Sequence, residues 1–533
     1  MKKYILVLII IFAAFLRFYK IAEVPPSLYW DEASLGYNVY SILKTAKDEH
    51  GKFLPLTNFS AFGDYKPPGY IYATVPSIAV FGLSEFAIRF PSAFFGTLTV
   101  LLTFILAKKI FNNETIAYIS SLFLAISPWH VNLSRAAFES NMALFFSTLG
   151  IYFFIKFAKD SSYFIFLSAA SFLIAMYTFT GQRLFVPLVL ILLVLQFKKE
   201  VYKNLKVVAV ASFFALVLFW PLFKFATQTI EGRLRFDEVS IFKDLTPINQ
   251  SIEYRKRDNY SFVSNLIYNR RLFYLHEYLE NYFDAFSPVF LFTKGDINPR
   301  FSTQLIGQLY PLDLLFVMAG LYFLIRKRNE YAFLIIGWLL VSPLGPATAK
   351  ETPHALRMLH ILPTFQLIGA FGLYHFLSSV KSKKILIPVL SLALVAQLLF
   401  YLHSYYVHWP KTYSGEWQYG YKEAVKETQK RYNEFDNIVV TPNLGRPYIY
   451  FLLYMKFPPQ KYHESARRIR DRFYFYDVEG FDKFYFNNPS PSLLKGNTLY
   501  ISQEGNLPKN AKSFFKVKDL SGATVFEMGE KIK

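Results

Sequence analysis

The sequence predicts a mostly α-helical, polytopic membrane bundle of about eleven spans that ends in a small extracytoplasmic α/β domain. Three observations predict it. Of the 533 residues, 53% are hydrophobic, and they gather into runs of about 20, the length that carries a helix across the hydrocarbon of a bilayer. The basic residues behind the +20 net charge sit in small clusters between those runs, which points to membrane orientation and not to a nucleic-acid face. Beyond about residue 405 the long apolar runs stop, and helix-like and strand-like segments alternate.

The first run, MKKYILVLIIIFAAFLRFYK, begins like a secretory signal. Arg17, Phe18, Tyr19 and Lys20 then stand where a small-residue cleavage site would be, so it reads as an uncleaved span over about 4–19, with a cleaved signal as the alternative. Further spans fall at about 86–107, 115–131, 138–157, 162–180, 184–197, 206–222, 311–326, 331–347, 359–379 and 385–404. Lys2-Lys3, Lys108-Lys109, Lys156 with Lys159, Lys198-Lys199 with Lys203 and Lys206, Arg326-Lys327-Arg328, and Lys381 with Lys383-Lys384 come after every second span. A cytoplasmic N-terminus puts all these clusters inside, and an odd number of spans leaves the C-terminal domain outside a multi-pass cell-membrane protein. Residues 70–83 are apolar but short and hold Pro76. A crossing there would reverse every later cluster, so the segment reads as an interfacial or re-entrant helix.

Two domains follow from this map: a membrane-embedded domain over 1–404 and an extracytoplasmic α/β domain over 405–533. Loop one, about 20–85, contains EASLGYNVYSIL, where Leu35, Val39, Ile42 and Leu43 recur at helical spacing; this predicts an amphipathic helix on the membrane surface. The second long loop, about 223–310, has little clear periodicity. The tail offers helices at EAVKETQKRYNEF and RPYIYFLLYMKF and strands at 437–441 and TLYIS.

Ionisable residues cluster at the exterior ends of the spans. Asp31 and Glu32 follow Trp30 and open the loop-one helix. Carboxylates there suit the helix dipole, and a carboxylate held at the membrane surface also suits removal of a proton from an acceptor hydroxyl. Lys66 in DYKPPGY is either a snorkelling anchor or a cation for a lipid phosphate. Arg135 and Glu139, four apart in a short turn, either pair with each other or serve a site. His354 and Arg357, three apart, share a helical face that could grip a phosphate, or they merely follow a capped start at Thr352-Pro353. Arg183 and Arg300 add charge on the same side. The chain has no cysteine, which removes disulfides, thiolate metal sites and thiol nucleophiles. It carries no Walker loop, dinucleotide fingerprint, HExxH or GxSxG, so ATP, NAD and hydrolase chemistry find no support.

Trp-Asp-Glu in loop one, then Lys-Pro-Pro, GLSEFAIRFPSAFFGTLTVLLTF and SPWHVNLSRAAFESN together resemble the membrane-embedded GT-C glycosyltransferases. The match is to the family that holds protein O-mannosyltransferases and the bacterial aminoarabinose transferase of lipid A. It covers about the first third of the chain; PHALRMLHILP and GDINPRF look like further motifs of bacterial members. The resemblance implies a GT-C fold and transfer of a sugar from a polyprenyl-phosphate donor on the exterior face, usually with inversion. The acceptor it implies is a protein, lipid or glycan, and the other partners are membrane lipids, with no nucleic acid. It implies that Asp31 activates the acceptor, that Glu32 is its acidic neighbour, and that Lys66 contacts the lipid phosphate. Glu139 stands where relatives carry an acidic residue, more often aspartate, and counts with Asp31 and Glu32 as catalytic. Arg135, His354 and Arg357 join Lys66 as phosphate-binding candidates. No cofactor is assigned; a relative's metal near the Lys-Pro motif leaves a divalent ion open, but Tyr65 before Lys66 gives it no ligand. The competing reading is a transporter or flippase of lipid-linked sugars. That should show paired repeats or broken helices and midplane charges, none of which the sequence displays.

Overall fold

The structure, a computed structural model, describes residues 2–470 and 475–531. Each expected span lies on an apolar helix. These are α1 (Lys2–Phe18), Glu85–Phe111, Glu114–Ile126, Glu139–Lys159, Phe164–Thr178, Gln182–Gln196, Leu205–Gln228, Pro311–Arg326, Ala332–Val341, Thr364–Ser379 and Lys383–His403. By length and apolarity alone, four helices among the described residues are long enough to cross a membrane. A fifth candidate, Ala355–Ile361 with Thr364–Ser379, is bent by 52° around Pro363, whose ring cannot continue a helix.

By contacts the chain forms two units. The first comprises Met1–Leu16, Phe95–Ser134 and Glu139–Tyr401. It is a helical bundle in which glycines allow backbones to meet: a Cβ on Gly320 would lie 2.0 Å from the Ile368 carbonyl oxygen, and one on Gly372 2.2 Å from that of Phe316. Small residues at such crossings are how apolar helices pack without a hydrophobic driving force. The loop 223–310, which showed little period in the sequence, holds four helices: Ile230–Val239, Thr246–Arg257, Phe262–Ile267 and Arg270–Asp284.

The second unit comprises Arg17–Phe94, Arg135–Phe138 and Leu402–Lys533. Loop one supplies α2 (Trp30–Thr45), a hairpin of β1 (Phe59–Ala61) and β2 (Asp64–Lys66), and α3 (Pro68–Phe81). The tail supplies a sheet of β3 (Asn437–Val440), β4 (Arg467–Arg470), β5 (Tyr476–Phe481), β6 (Phe484–Tyr485), β7 (Thr498–Ser502), β8 (Lys512–Lys518) and β9 (Thr524–Lys531) in the order β4-β5-β6-β3-β7-β9-β8. β3 runs parallel to β6 and β7 on either side of it, and the other pairings are antiparallel. One face is the core: Ile438, Val440, Leu499, Ile501, Phe526 and Met528 are fully buried. Helices Tyr421–Lys430 and Pro447–Tyr454 close it, with ring contacts of Tyr421 on Phe526 and Phe451 on Phe484.

α2 corrects the sequence expectation. It is not a surface helix with one apolar stripe, because Ser34, Tyr37, Asn38 and Ser41 are buried along with Val39 and Ile42. The tail covers it. Tyr37 donates to the Phe457 carbonyl at 3.1 Å, and a Cβ on Gly36 would lie 2.4 Å from Ile88 and 3.2 Å from Leu453. Loop one is further stitched to the tail through carbonyls at the 48–50 turn. Arg468 donates to Glu49 O at 3.0 Å, and the His463 ring nitrogen lies 2.8 Å from Asp48 O.

Candidate active site

The second unit brings Asp31 and Lys66 together. α2 places Asp31 in its first turn, and the β1–β2 hairpin presents Lys66 at the end of its second strand. The Lys66 ammonium donates to Asp31 Oδ2 at 3.3 Å and pairs with Asp64 Oδ2 at 2.8 Å. Asp64 and Lys66 are two apart on a strand, so both point to one side. Pro67 and Pro68 then fix the turn into α3, with Pro67 extended at φ −61° and ψ 147°. The three side chains keep 25%, 21% and 15% exposure for Asp31, Lys66 and Asp64. The cluster is therefore shielded but open to a ligand.

Glu32, the next residue, is wholly buried. Its Oε1 takes Arg89 Nε at 2.9 Å and the Ala137 amide at 2.8 Å; its Oε2 takes Arg89 Nη2 at 2.9 Å and the Tyr29 amide at 3.4 Å. Arg89 spends its other donors on the carbonyls of Ile21, Pro25 and Ser27 and stacks over Trp417. All five guanidinium N–H groups thus have acceptors. Arg135 works the same way: fully buried, it donates to the carbonyls of Tyr19 and Val24 at 2.6 and 2.9 Å and to the Tyr405 hydroxyl at 3.3 Å, under the rings of Tyr405 and Tyr406. The two arginines together hold the segment that leads from α1 to Asp31.

Glu139, His354 and Arg357 belong to the first unit. Glu139 is half-buried and opens its helix, where the dipole favours a carboxylate. His354 and Arg357 gather around a residue that the sequence did not single out, Asp296. Its Oδ2 lies 3.7 Å from His354 Nδ1 and accepts the Ala355 amide at 2.6 Å; its Oδ1 accepts the Asn298 amide at 2.8 Å. Burial pushes the Asp296 carboxyl up to about 6, against the pull of those amides and of Arg357. Arg357 also donates to Lys350 O at 2.7 Å, and His354 packs on Phe301. Arg300 sits beside Asn298, its Nε 3.3 Å from Oδ1.

Three residues escaped the sequence reading, each with a usable signal. Asp64 could have been found from the strand alternation of DYK, Arg89 as a charge inside an apolar run, and Asp296 from the GDINP turn. A divalent metal does not fit this set. Among the described residues no three His, Asp or Glu side chains converge, and Asp31 and Asp64 both face an ammonium.

Residues 7–226, which contain Asp31, Lys66, Arg89 and Glu139, match the family model described as dolichyl-phosphate-mannose-protein mannosyltransferase. The fold agrees: ArnT from Cupriavidus metallidurans bound to undecaprenyl phosphate superposes with a TM-score of 0.57 at 11% identity, over 98% of this chain and 97% of ArnT. The chain has the membrane fold of the GT-C type. An oligosaccharyltransferase from Archaeoglobus fulgidus in complex with Zn and sulfate gives a TM-score of 0.51 at 12% identity, over 98% of this chain and 72% of the archaeal chain. Against the apo form of that enzyme it spans 64% of the archaeal length. An uncharacterized protein of Aquifex aeolicus (strain VF5) is 24% identical over 416 residues, 76% of this chain and 71% of the relative.

Proposed function

We propose that the protein transfers a sugar from a polyprenyl-phosphate donor to a hydroxyl of its acceptor on the extracytoplasmic face, with inversion. The observation that carries this reading is the partly exposed Asp31–Lys66–Asp64 cluster inside the segment that matches the family. The lipid phosphate seen in ArnT's complex supports the donor class. The phosphate competes with Asp31 for the Lys66 ammonium and so frees Asp31 to face the acceptor. The acceptor oxygen attacks the anomeric carbon, its proton passes to Asp31, and the bond to the phosphate oxygen breaks with its electron pair leaving on polyprenyl phosphate. Lys66 then stabilises the growing charge of the leaving group. His354 and Arg357 are further phosphate-binding candidates and Glu139 a further candidate carboxylate, all in the first unit. Glu32, Arg89 and Arg135 act as positioning residues: they hold the backbone that aims Asp31 and touch no reacting atom. The orientation that serves this chemistry has eleven spans, a cytoplasmic N-terminus and the tail outside, as the basic clusters favour.

The test supplies purified protein with polyprenyl-phosphate sugars and an extract of acceptors, and compares Asp31→Asn with the parent. Loss of transfer with donor binding retained supports the reading. Equal transfer by both proteins refutes the assignment of Asp31. Movement of lipid-linked sugar across vesicles without transfer would favour a flippase.

A further inference from the structure

The tail sheet holds a cavity of about 370 Å³, within the range of small-molecule sites. Its place follows from topology. β3 is flanked by β6 on one side and β7 on the other, all three parallel. Connections that leave the carboxyl ends of such strands in opposite directions part from each other and open a crevice, the usual ligand position in open α/β sheets. Much of the lining comes from those ends: Thr441 and Asn443 after β3, Asn488 after β6, and Ser502 and Asn506 at and after β7, while Lys531 lines it from the other end of β7, opposite Thr498. Val439 and Tyr500 are register partners and form the floor.

The chemistry of the lining is specific. Four amide side chains, Asn443, Asn488, Asn506 and Asn510, join the hydroxyls of Thr441 and Ser502. Each amide both donates and accepts, as each sugar hydroxyl does. Tyr500, Val439, Pro489, Leu494 and Pro508 give the apolar surface on which the C–H face of a pyranose packs. No carboxylate lines the cavity and Lys531 is its one cation, so it suits neither a metal ion nor a phosphate cluster. Asn443 is set in place by its amide on Thr441 Oγ1 at 3.3 Å and by its side chain on Gln503 at 3.5 Å. We propose that this crevice is a binding site for a neutral oligosaccharide, separate in its residues from the Asp31–Lys66 cluster.

The experiment uses the full-length chain in nanodiscs without lipid donor. It is screened against an array of neutral hexose and N-acetylhexosamine oligosaccharides, with acidic oligosaccharides and inorganic phosphate as comparisons, and hits are titrated by calorimetry. The expected result is binding of neutral members, weakened at least tenfold by Tyr500→Leu and by the Asn443→Ala/Asn510→Ala pair, with unchanged thermal midpoints. Binding must persist in Asp31→Asn, so its failure is distinct from failure of the transferase reading. Absence of neutral binders, binding unchanged in the crevice variants, or a preference for acidic sugars or phosphate would overturn the proposal.

Discussion

Asp31 and Glu32 are neighbours on one helix, yet they live in opposite surroundings. Asp31 shares Lys66 with Asp64 at the edge of solvent. Glu32 is sealed with Arg89, every lone-pair direction occupied by an N–H. A quarter-exposed ion pair can exchange partners at small cost, because water and incoming ligands replace what is lost. A sealed pair cannot, because each group deprived of its partner is left charged in a low dielectric. The comparison teaches that adjacent carboxylates of identical sequence appeal can differ in whether they can change partners, and that what covers them decides it.

Five substitutions probe that division. Asp31→Asn should lower transfer by about 10²–10⁴-fold, the range for loss of a general base, with the thermal midpoint within a degree or two of the parent. A large loss of stability instead would merge the two roles. Arg89→Met should leave Glu32 buried without its partner and cost about 3–5 kcal/mol in stability, seen as a lowered melting midpoint in detergent. Adding Glu32→Leu to it should restore part of that loss, whereas a structural role for Glu32 fails if Arg89→Met melts like the parent.

Asp296 tests an intermediate case, a buried carboxylate held by amides and a histidine. Its folded pKa of about 6 lies above the ordinary carboxylate value near 3.8. The folded state therefore binds the proton more tightly, and the stabilisation is present below pH 3.8 and lost as pH rises through about 6, by at most about 3 kcal/mol. Melting profiles between pH 4 and 7 should show that slope in the parent and its absence in Asp296→Asn. Lys66→Ala should weaken donor binding by about tenfold, the value of one charge-assisted contact at a partly exposed site. Unchanged affinity in a donor titration would remove Lys66 from the phosphate site.

Much of this was legible in the residues. Apolar runs bounded by lysines mark the membrane helices, since length and hydropathy alone decide them. NIVV and TLYIS declare two central strands of the tail, and Trp-Asp-Glu and Lys-Pro-Pro single out Asp31 and Lys66, which meet in an ion pair. The burial of α2 was not legible: periodicity tells which residues of a helix are apolar, and not that Asn38 and Ser41 will bond within loop one and Tyr37 to a carbonyl 420 positions away. The helices of 223–310 were hidden because dense charge and aromatic residues blur the apolar stripe, as in RRLFYLHEYLENYFD. Asp296 was hidden because its role depends on meeting His354, which only folding arranges.

The stitching of loop one to the tail has a consequence for biogenesis. Tyr37 bonds to a carbonyl 420 positions later, and Arg468 clasps the turn at Glu49. The ribosome therefore delivers the segment bearing Tyr37 420 positions before its partner Phe457. Until residues 457–468 have been made, α2 and the 48–50 turn lack these partners. A chain stalled before residue 457 therefore leaves the Tyr37 side of α2 uncovered and open to proteases.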